Sequence, residues 1–277
     1  MNRTFRSWTT LVFLFAVATG SYLYLTRSKQ PVQPPSEPPS PPAAASAEAI
    51  RHPIEEIAQV APGAGSAAVE LPPLDASDAV VEGAIRDLLG AEAAFDLVGS
   101  GGYIRKVVVT LDNLPRDRAS ARLWPVPPTP GRFSVRQQGD RTYLSTANFQ
   151  RYSPFVSLVS SVDIEKLVAL YVRYYPLFQQ AYEDLGFPGR YFNDRVIDVI
   201  DHLLATPDPG DLIELVLPPQ EAPVAFERPW VLYDYADPAL QSLSAGQKIL
   251  IRMGSENSRR VKAVLGELRQ RLAAARE

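Results

Sequence analysis

The sequence predicts an α+β chain that is mostly helical and carries a small antiparallel β element. Residues 7–26 form an uncharged, mainly apolar run, and residues 27–73 are rich in Pro and Ala. Beyond residue 73, apolar residues recur with helix or strand periods over a length that suits one hydrophobic core. The predicted organisation is a cytoplasmic tail (1–6), a transmembrane anchor (7–26), a disordered linker (27–73) and a globular domain (74–277).

The apolar run has the dimensions of a membrane-spanning helix. Twenty helical residues rise about 1.5 Å each and span roughly 30 Å, which is the thickness of a bilayer's hydrocarbon core. Trp8 lies near one end, and Tyr22 and Tyr24 lie near the other, as interfacial aromatic residues do. We therefore expect a single-pass anchor that places the chain in a membrane.

The orientation of this anchor depends on the short tail, because basic residues flank the run on both sides. A six-residue tail before the first apolar segment is typical of a signal anchor whose C-terminal part is translocated. In a bacterium, this layout places the domain in the periplasm and the anchor in the inner membrane. The alternative is a cleaved signal peptide, since Ala16-Val17-Ala18 has the small-x-small pattern of a cleavage site.

The linker prediction follows from its proline content. Proline fixes φ and lacks an amide hydrogen, so the segment favours extended polyproline II and buries too little apolar area to fold. Pro-x-x-Pro motifs at residues 31–34 and 35–38 leave a peptide-ligand role open. The scattered apolar exceptions in the segment are Ile50, Ile54, Ile57 and Val60.

Composition bounds the chemistry. The chain carries 28 Lys and Arg against 31 Asp and Glu, a formal charge of −3, which disfavours nucleic acid as a partner. It contains no Cys, so disulfides, thiolate nucleophiles and thiolate metal ligands are excluded. It also lacks a phosphate-binding glycine motif, and we expect no cofactor.

Helix-period patterns cover most of the domain. Ser77-Asp78 predicts the start of a helix that stops at Gly90. The longest pattern contains Pro176, so a kink or break near Tyr175 is expected. The predicted helices cover residues 78–89, 163–186, 192–205, 244–253 and 255–274.

Three segments predict strands, and one is ambiguous. The sequence around Gly139-Asp140 predicts a hairpin. Residues 212–218 and 229–236 are short β-type segments that we expect to pair. Residues 103–117 fit a strand by their valines and a helix by their apolar spacing.

No catalytic signature stands out. His202 is the only domain histidine, with Asp198 one helical turn away, but its place on the polar flank of a helix favours a solvated residue. Asp194, Asp198 and Asp201 with His202 lack an ion-binding loop pattern, so we expect no metal site. A carboxylate pair for glycan cleavage remains an open alternative.

Three segments combine polar residues at predicted helix ends: residues 111–116, 191–195 and 246–257. Helix capping and interhelical ion pairs are one interpretation. The other is a polar cleft whose Arg and Lys side chains meet an acidic ligand or peptide carboxylate. The candidate residues are Asp112, Asn113, Arg116, Asn193, Asp194, Arg195, Lys248, Arg252 and Asn257.

Two further surfaces are candidates for contacts. Tyr171, Tyr175 and Tyr182 form a second stripe on the longest helix and are either interface anchors or a second core-facing stripe. The last helix has a basic excess that suits anionic lipid or phosphate, or a solvated face. Its basic residues are Arg259, Arg260, Lys262, Arg269 and Arg271.

Several segments resemble one bacterial family: VVVTLDNLPR, NFQRYSP, the run from LYVRYYPLF to DHLLATP, and YADPALQSLSAGQKILIRMGSENSRRVK. Over about residues 71–272, the chain closely resembles the family catalogued as domain of unknown function 3014. The resemblance favours a helix for residues 103–117 and implies an anchored envelope protein with a proline-rich linker. It implies no activity, cofactor or catalytic residue.

These observations lead to two functional expectations. The first is a non-enzymatic periplasmic domain of an inner-membrane protein that binds or scaffolds an envelope partner. The alternative is an envelope hydrolase or glycan-acting enzyme that uses a carboxylate pair.

Overall fold

The computed structural model describes residues 49–60, 71–90, 101–217 and 233–273. Helices dominate these ranges, and a small antiparallel sheet completes a mostly helical α+β fold, as the sequence predicts. The helices are α1 (Ile54–Val60), α2 (Asp78–Leu89), α3 (Tyr103–Asn113), α4 (Ala147–Ser161), α5 (Ile164–Asp184), α6 (Phe192–Leu204), α7 (Pro238–Gln241), α8 (Ala245–Arg252) and α9 (Ser255–Leu272). The strands are β1 (Val135–Gln138), β2 (Arg141–Leu144), β3 (Glu214–Val216) and β4 (Asp234–Tyr235).

Across these described ranges, no helix has both the length and the apolar character needed to cross a membrane. The predicted tail, the anchor at residues 7–26 and the linker up to residue 48 lie outside the described residues.

The start of α2 differs in detail from the capping prediction. The Ser77 hydroxyl does not cap its own helix but donates to the Leu74 carbonyl at 2.7 Å. The Asp78 carboxylate instead accepts from the amides of Gly102 and Tyr103, at 2.7 and 3.1 Å. Asp78 therefore caps α3, a helix other than its own.

The ambiguous segment is helix α3. Ile104 and Val108 are each 1% exposed, four residues apart, so the helical stripe prevails over the β propensity of the valines.

Helix α5 runs through Pro176 without a break, so of the expected kink or break, the break is wrong. Pro176 lies inside the helix on its exposed side, while Tyr174, Tyr175 and Leu177 are buried on the other. Packing on both sides of the proline holds the two halves in one helix despite the lost backbone hydrogen bond. Asp163 caps the start of the helix, and its carboxylate accepts from the Lys166 amide.

The prediction of a disordered linker is wrong for residues 54–60, which form α1. Ile54 and Ile57 are 8% and 4% exposed and join the largest apolar cluster, where α1 packs against α5 and α9. Their spacing of three residues, one helical turn, is the signal that distinguishes them from scattered apolar residues.

The strands form one sheet in the order β1-β2-β3-β4 with antiparallel neighbours throughout. The predicted hairpin is β1–β2, turning at Gly139 with φ of 58°, and the expected pairing of the later segments is β3–β4. Leu144, Leu215 and Tyr235 bury one face of the sheet against Leu240 and Ile251. The sheet thus packs on α7 and α8.

Candidate functional site

A cleft of about 220 Å³ opens where the end of α3, the C-terminal part of α5 and the first turns of α6 meet. Four arginines, three aspartates and three aromatic rings line it. They are Arg51, Arg116, Arg190, Arg195, Asp112, Asp194, Asp198, Tyr182, Phe187 and Tyr191.

Asp112 is the buried centre of one side of the cleft, with its side chain 6% exposed. The guanidinium of Arg116, four residues on, bonds its carboxylate through Nη2. Arg195, from the first turns of α6, donates through Nε to Oδ1 at 3.1 Å and through Nη2 to the Asp112 carbonyl at 3.1 Å. Two guanidinium groups therefore converge on one carboxylate, a charge-assisted arrangement that fixes both arginines.

The other side of the cleft is held by a residue from the predicted linker. Asp194 accepts from the amides of Arg51 and His52, at 3.0 and 2.8 Å. The Arg51 guanidinium donates to Asp198 at 2.8 Å. Asp194 and Asp198 lie one turn apart on α6, which places both carboxylates beside the same arginine.

Four of the nine predicted cleft residues line this cleft: Asp112, Arg116, Asp194 and Arg195. Asn193 lies behind it, 0% exposed, where its side-chain amide donates to the carbonyls of His52 and Leu272. Asn113 follows Asp112 at the end of α3 and is not among the lining residues.

Lys248, Arg252 and Asn257 lie elsewhere, so the single nine-residue cleft is corrected. Arg252 lies over the Tyr235 ring at 5.9 Å, beside the sheet. Desolvation lowers the pKa of Lys248, and the charge of Arg252 lowers it further. The Asn257 amide is buried and donates to the Phe149 carbonyl at 2.9 Å, which ties α9 to α4.

Six lining residues were not among the nine residues predicted for the cleft. Arg51 was assigned to the linker, and Asp198 could have been found from its spacing of four residues after Asp194. The remaining four sit at or near the connection between α5 and α6, and no local pattern marks their contacts: Tyr182, Phe187, Arg190 and Tyr191.

The three tyrosines proposed as interface anchors face the interior. Tyr175 and Tyr182 are 5% and 2% exposed, and the Tyr171 hydroxyl donates to Asn193 Oδ1 at 3.2 Å. Burial raises the pKa of Tyr171 and of Tyr175 well above the usual range. The second core-facing stripe is therefore the interpretation that fits their burial.

His202 is half-buried, which corrects the expectation of a solvated side chain. Its Nε2 lies 2.8 Å from Ser244 Oγ, and Ser244 caps α8 by accepting from the Gln247 amide. The contact ties α6 to the start of α8. Of the carboxylates near it in sequence, Asp201 is bound by Arg269 from α9.

Among the described residues, no group of three or more acidic, His or Cys side chains is placed to hold a metal ion.

Basic residues of α9 engage carboxylates within the domain. Arg259 pairs with Glu256, and Arg271 pairs with Glu165 at 3.2 Å. Lys262 donates to the Thr206 carbonyl at the end of α6. These contacts agree with a solvated helix face that also packs on its neighbours.

Comparison with known proteins gives one match. No curated protein and no solved structure matches the chain. The family model described as "Protein of unknown function (DUF3014)" matches residues 103–269, more than half of the chain. The matched span runs from the start of α3 into the last turns of α9 and includes Asp112 and Asp194 but not Arg51. The resemblance inferred from the sequence is thereby confirmed, and the chain belongs to the DUF3014 family.

Proposed function

We propose that this chain is a non-enzymatic binding protein of the bacterial cell envelope. In this proposal, residues 7–26 anchor it in the inner membrane, the Pro-rich linker spaces it from the bilayer, and the periplasmic domain binds the carboxylate of an acidic ligand or peptide. The observation that carries the binding role is the convergence of Arg116 and Arg195 on the single buried carboxylate of Asp112.

The charge at Asp112 favours an anion. Two guanidinium groups share one carboxylate, so the group formed by Arg116, Arg195 and Asp112 carries a net positive charge. Arg116 and Arg195 use Nε and Nη2 on Asp112, and within the described contacts their Nη1 groups have no protein acceptor. Asp112 already orders both arginine side chains. Binding of a ligand carboxylate would therefore cost little additional side-chain entropy.

The aromatic wall supplies the second part of a ligand site. Phe187 and Tyr191 line the cleft with partly exposed rings, and the buried Tyr182 stacks on Phe187 with ring centroids 4.7 Å apart. Ring faces beside guanidinium groups suit a ligand with an apolar body and an anionic end, such as a peptide C-terminus.

The hydrolase alternative receives less support from this cleft. Asp112 is bonded by two arginines, Asp194 by two main-chain amides, and Asp198 by Arg51. Glycan cleavage needs two carboxyl groups that can reach the substrate, whereas each of these carboxylates is engaged by donors of the chain itself.

Binding is tested with two peptides that differ in one charge. Isotope-labelled chain is titrated with Ac-Ala-Ala-Ala carrying a free C-terminal carboxylate and with its C-terminal amide, and amide shifts around Asp112 are followed. The carboxylate should bind, and Arg116→Gln should weaken it about tenfold, the effect of one lost charged hydrogen bond. Arg118→Gln, two residues on and exposed, is the matched control. Equal shifts with both peptides would reject the proposed ligand class.

Location is tested separately. An alkaline phosphatase fusion after Glu277 is active only outside the cytoplasm, and it is assayed together with membrane fractionation. Activity in the membrane pellet is expected for an anchored periplasmic domain. An inactive fusion would reverse the topology, and active protein in the supernatant would indicate a cleaved signal peptide.

A further inference from the structure

Residues 51–60, the strap, bind the domain through main-chain groups. The consecutive amides of Arg51 and His52 donate to the two oxygens of the Asp194 carboxylate, at 3.0 and 2.8 Å. Pro53 follows and has no amide to satisfy. This bidentate contact does not depend on which side chains the strap carries at these positions.

Two more side chains of the domain complete the main-chain contact. The Asn193 amide donates to the His52 carbonyl at 2.9 Å, and the Ile54 amide donates to the Tyr191 hydroxyl at 2.7 Å. Four main-chain groups of the strap are thus satisfied by three side chains within residues 191–194. We refer to Tyr191, Asn193 and Asp194 as the clamp.

The apolar part of the contact is one helical turn. Ile54 and Ile57 are buried in the main cluster, while Glu55 and Glu56 between them are exposed. A ligand for this site therefore needs branched apolar residues three positions apart, after a short non-helical stretch with two consecutive amides.

The clamp is held by the domain itself. Asn193 also donates to the Leu272 carbonyl and accepts from Tyr171, and the Tyr191 ring packs on Tyr175 with centroids 5.4 Å apart. Helix α1 of the strap, by contrast, has seven residues, too few to be stable in isolation. A preformed receptor and a segment that becomes helical on docking are the two sides of a peptide-binding site.

We propose that the clamp is a peptide-binding site that recognises main-chain groups and that the strap is its resident ligand, which leaves and rebinds while the domain stays folded. The ligand class is a short peptide of the strap's pattern. This proposal is independent of anion binding at Asp112.

The first test vacates the clamp in the full-length chain. Ile54→Asn with Ile57→Asn removes the apolar anchors without adding charge, and the probe is a fluorescent peptide with the sequence of residues 49–60, AIRHPIEEIAQV. The vacated chain should bind it saturably by anisotropy. Binding should fall at least tenfold when Asp194→Ala is added or when the peptide carries the Ile57→Asn change. The unaltered chain should also bind more weakly, because its tethered strap competes at high effective concentration. A folded, vacated chain that does not bind the peptide would overturn the proposal.

The second test uses the unaltered chain and holds even if the vacated variant does not fold. Amide hydrogen exchange compares Arg51, His52 and Ile54 with Val199 at the centre of α6. The strap amides should exchange at least a hundredfold faster, through local opening, and Asp194→Ala should accelerate them without changing Val199. If the strap amides exchange no faster than the Val199 amide, the strap opens only when the whole domain unfolds, and the proposal is wrong.

Discussion

Asp112 links the end of α3 to α6 through the two arginines that it accepts. Asp112→Ala removes both acceptors and leaves Arg195, which is 28% exposed, without its carboxylate. We expect a loss of about 2 to 4 kcal/mol in the free energy of unfolding, from an uncompensated, partly buried charge. Urea denaturation measures this loss. Asp117→Ala at an exposed position should change the free energy by less than about 0.5 kcal/mol, and equal effects of the two variants would contradict the prediction.

Two glycines at the start and in the interior of α9 should respond in opposite ways to substitution by alanine. Gly254 has φ of 83°, and a Cβ there would lie 2.6 Å from the Phe149 ring. Gly254→Ala should therefore cost at least about 2 kcal/mol in the free energy of unfolding, from backbone strain and the clash.

Gly266 is the matched control in the interior of α9, where a Cβ meets nothing within 4 Å. Gly266→Ala should stabilise by about 0.5 to 1 kcal/mol, because alanine restricts the unfolded chain and favours the helix. Thermal unfolding of both variants gives the comparison, and two changes of the same sign would refute it.

At the scale of single residues, the sequence predicts site residues only where they lie close together along the chain. Asp112 and Arg116 are four residues apart, and Asp194 and Arg195 are adjacent, so each pair could be identified as a polar helix end. The same logic assigned Lys248 and Arg252 to the cleft. Helix-end chemistry is alike at every helix. Although the start of α8 bonds the Leu114 and Arg116 carbonyls, Arg252 lies over Tyr235 of β4, and neither it nor Lys248 lines the cleft.

At the scale of elements, α6 and α9 are joined by an ion pair between Asp201 and Arg269. Hydrogen bonds from Arg269 lower the pKa of Asp201. A carboxyl with a lowered folded pKa adds stability above its unfolded pKa of about 3.9, and this contribution is lost as the pH falls through the folded value.

Asp201→Asn should therefore destabilise the domain at pH 7 and have a smaller effect at pH 3, which is below the unfolded pKa. Because the two side chains are 45% and 38% exposed, we expect only about 0.5 to 1 kcal/mol at pH 7. Urea midpoints at the two pH values measure the difference. In an Arg269→Gln background, the substitution should lose most of its effect, and an unchanged effect there would assign the stability to another partner.

Element prediction succeeded where the apolar stripe was long and failed where tertiary contacts decide. Helix α6 was identified from its clean stripe, but α4 was not predicted, since Asn148 and Val156 are its only buried residues in the structure and Pro154 interrupts the pattern. Helix α1 consists of one buried turn inside a Pro-rich segment. Its order depends on partners such as Tyr191 that are far away in sequence, and composition cannot reveal them.

For the whole molecule, the strap and the cleft share Arg51. When the strap is docked, Arg51 neutralises Asp198 at 2.8 Å, and when it leaves, Asp194 and Asp198 face the cleft without that cation. An anionic ligand should therefore bind better when the strap is docked. Linkage requires that the ligand favour docking by the same factor.

The vacated variant with Ile54→Asn and Ile57→Asn should accordingly bind Ac-Ala-Ala-Ala carboxylate about fivefold more weakly than the unaltered chain. In the unaltered chain, saturating tripeptide should slow hydrogen exchange of the strap amides by a similar factor. Unchanged affinity in the vacated variant would show that the two sites are uncoupled, even if each exists.

The sheet is assembled from distant parts of the chain, and this bears on the order of folding. Strands β1 and β2 adjoin through a tight turn, but Arg141 of β2 meets Glu214 of β3 across 73 residues that include α4, α5 and α6. Closing so long a loop costs more conformational entropy than closing the tight turn of the hairpin. We expect the hairpin to form early and β3 to join only after those three helices have packed, so the open edge of β2 is exposed to aggregation until then.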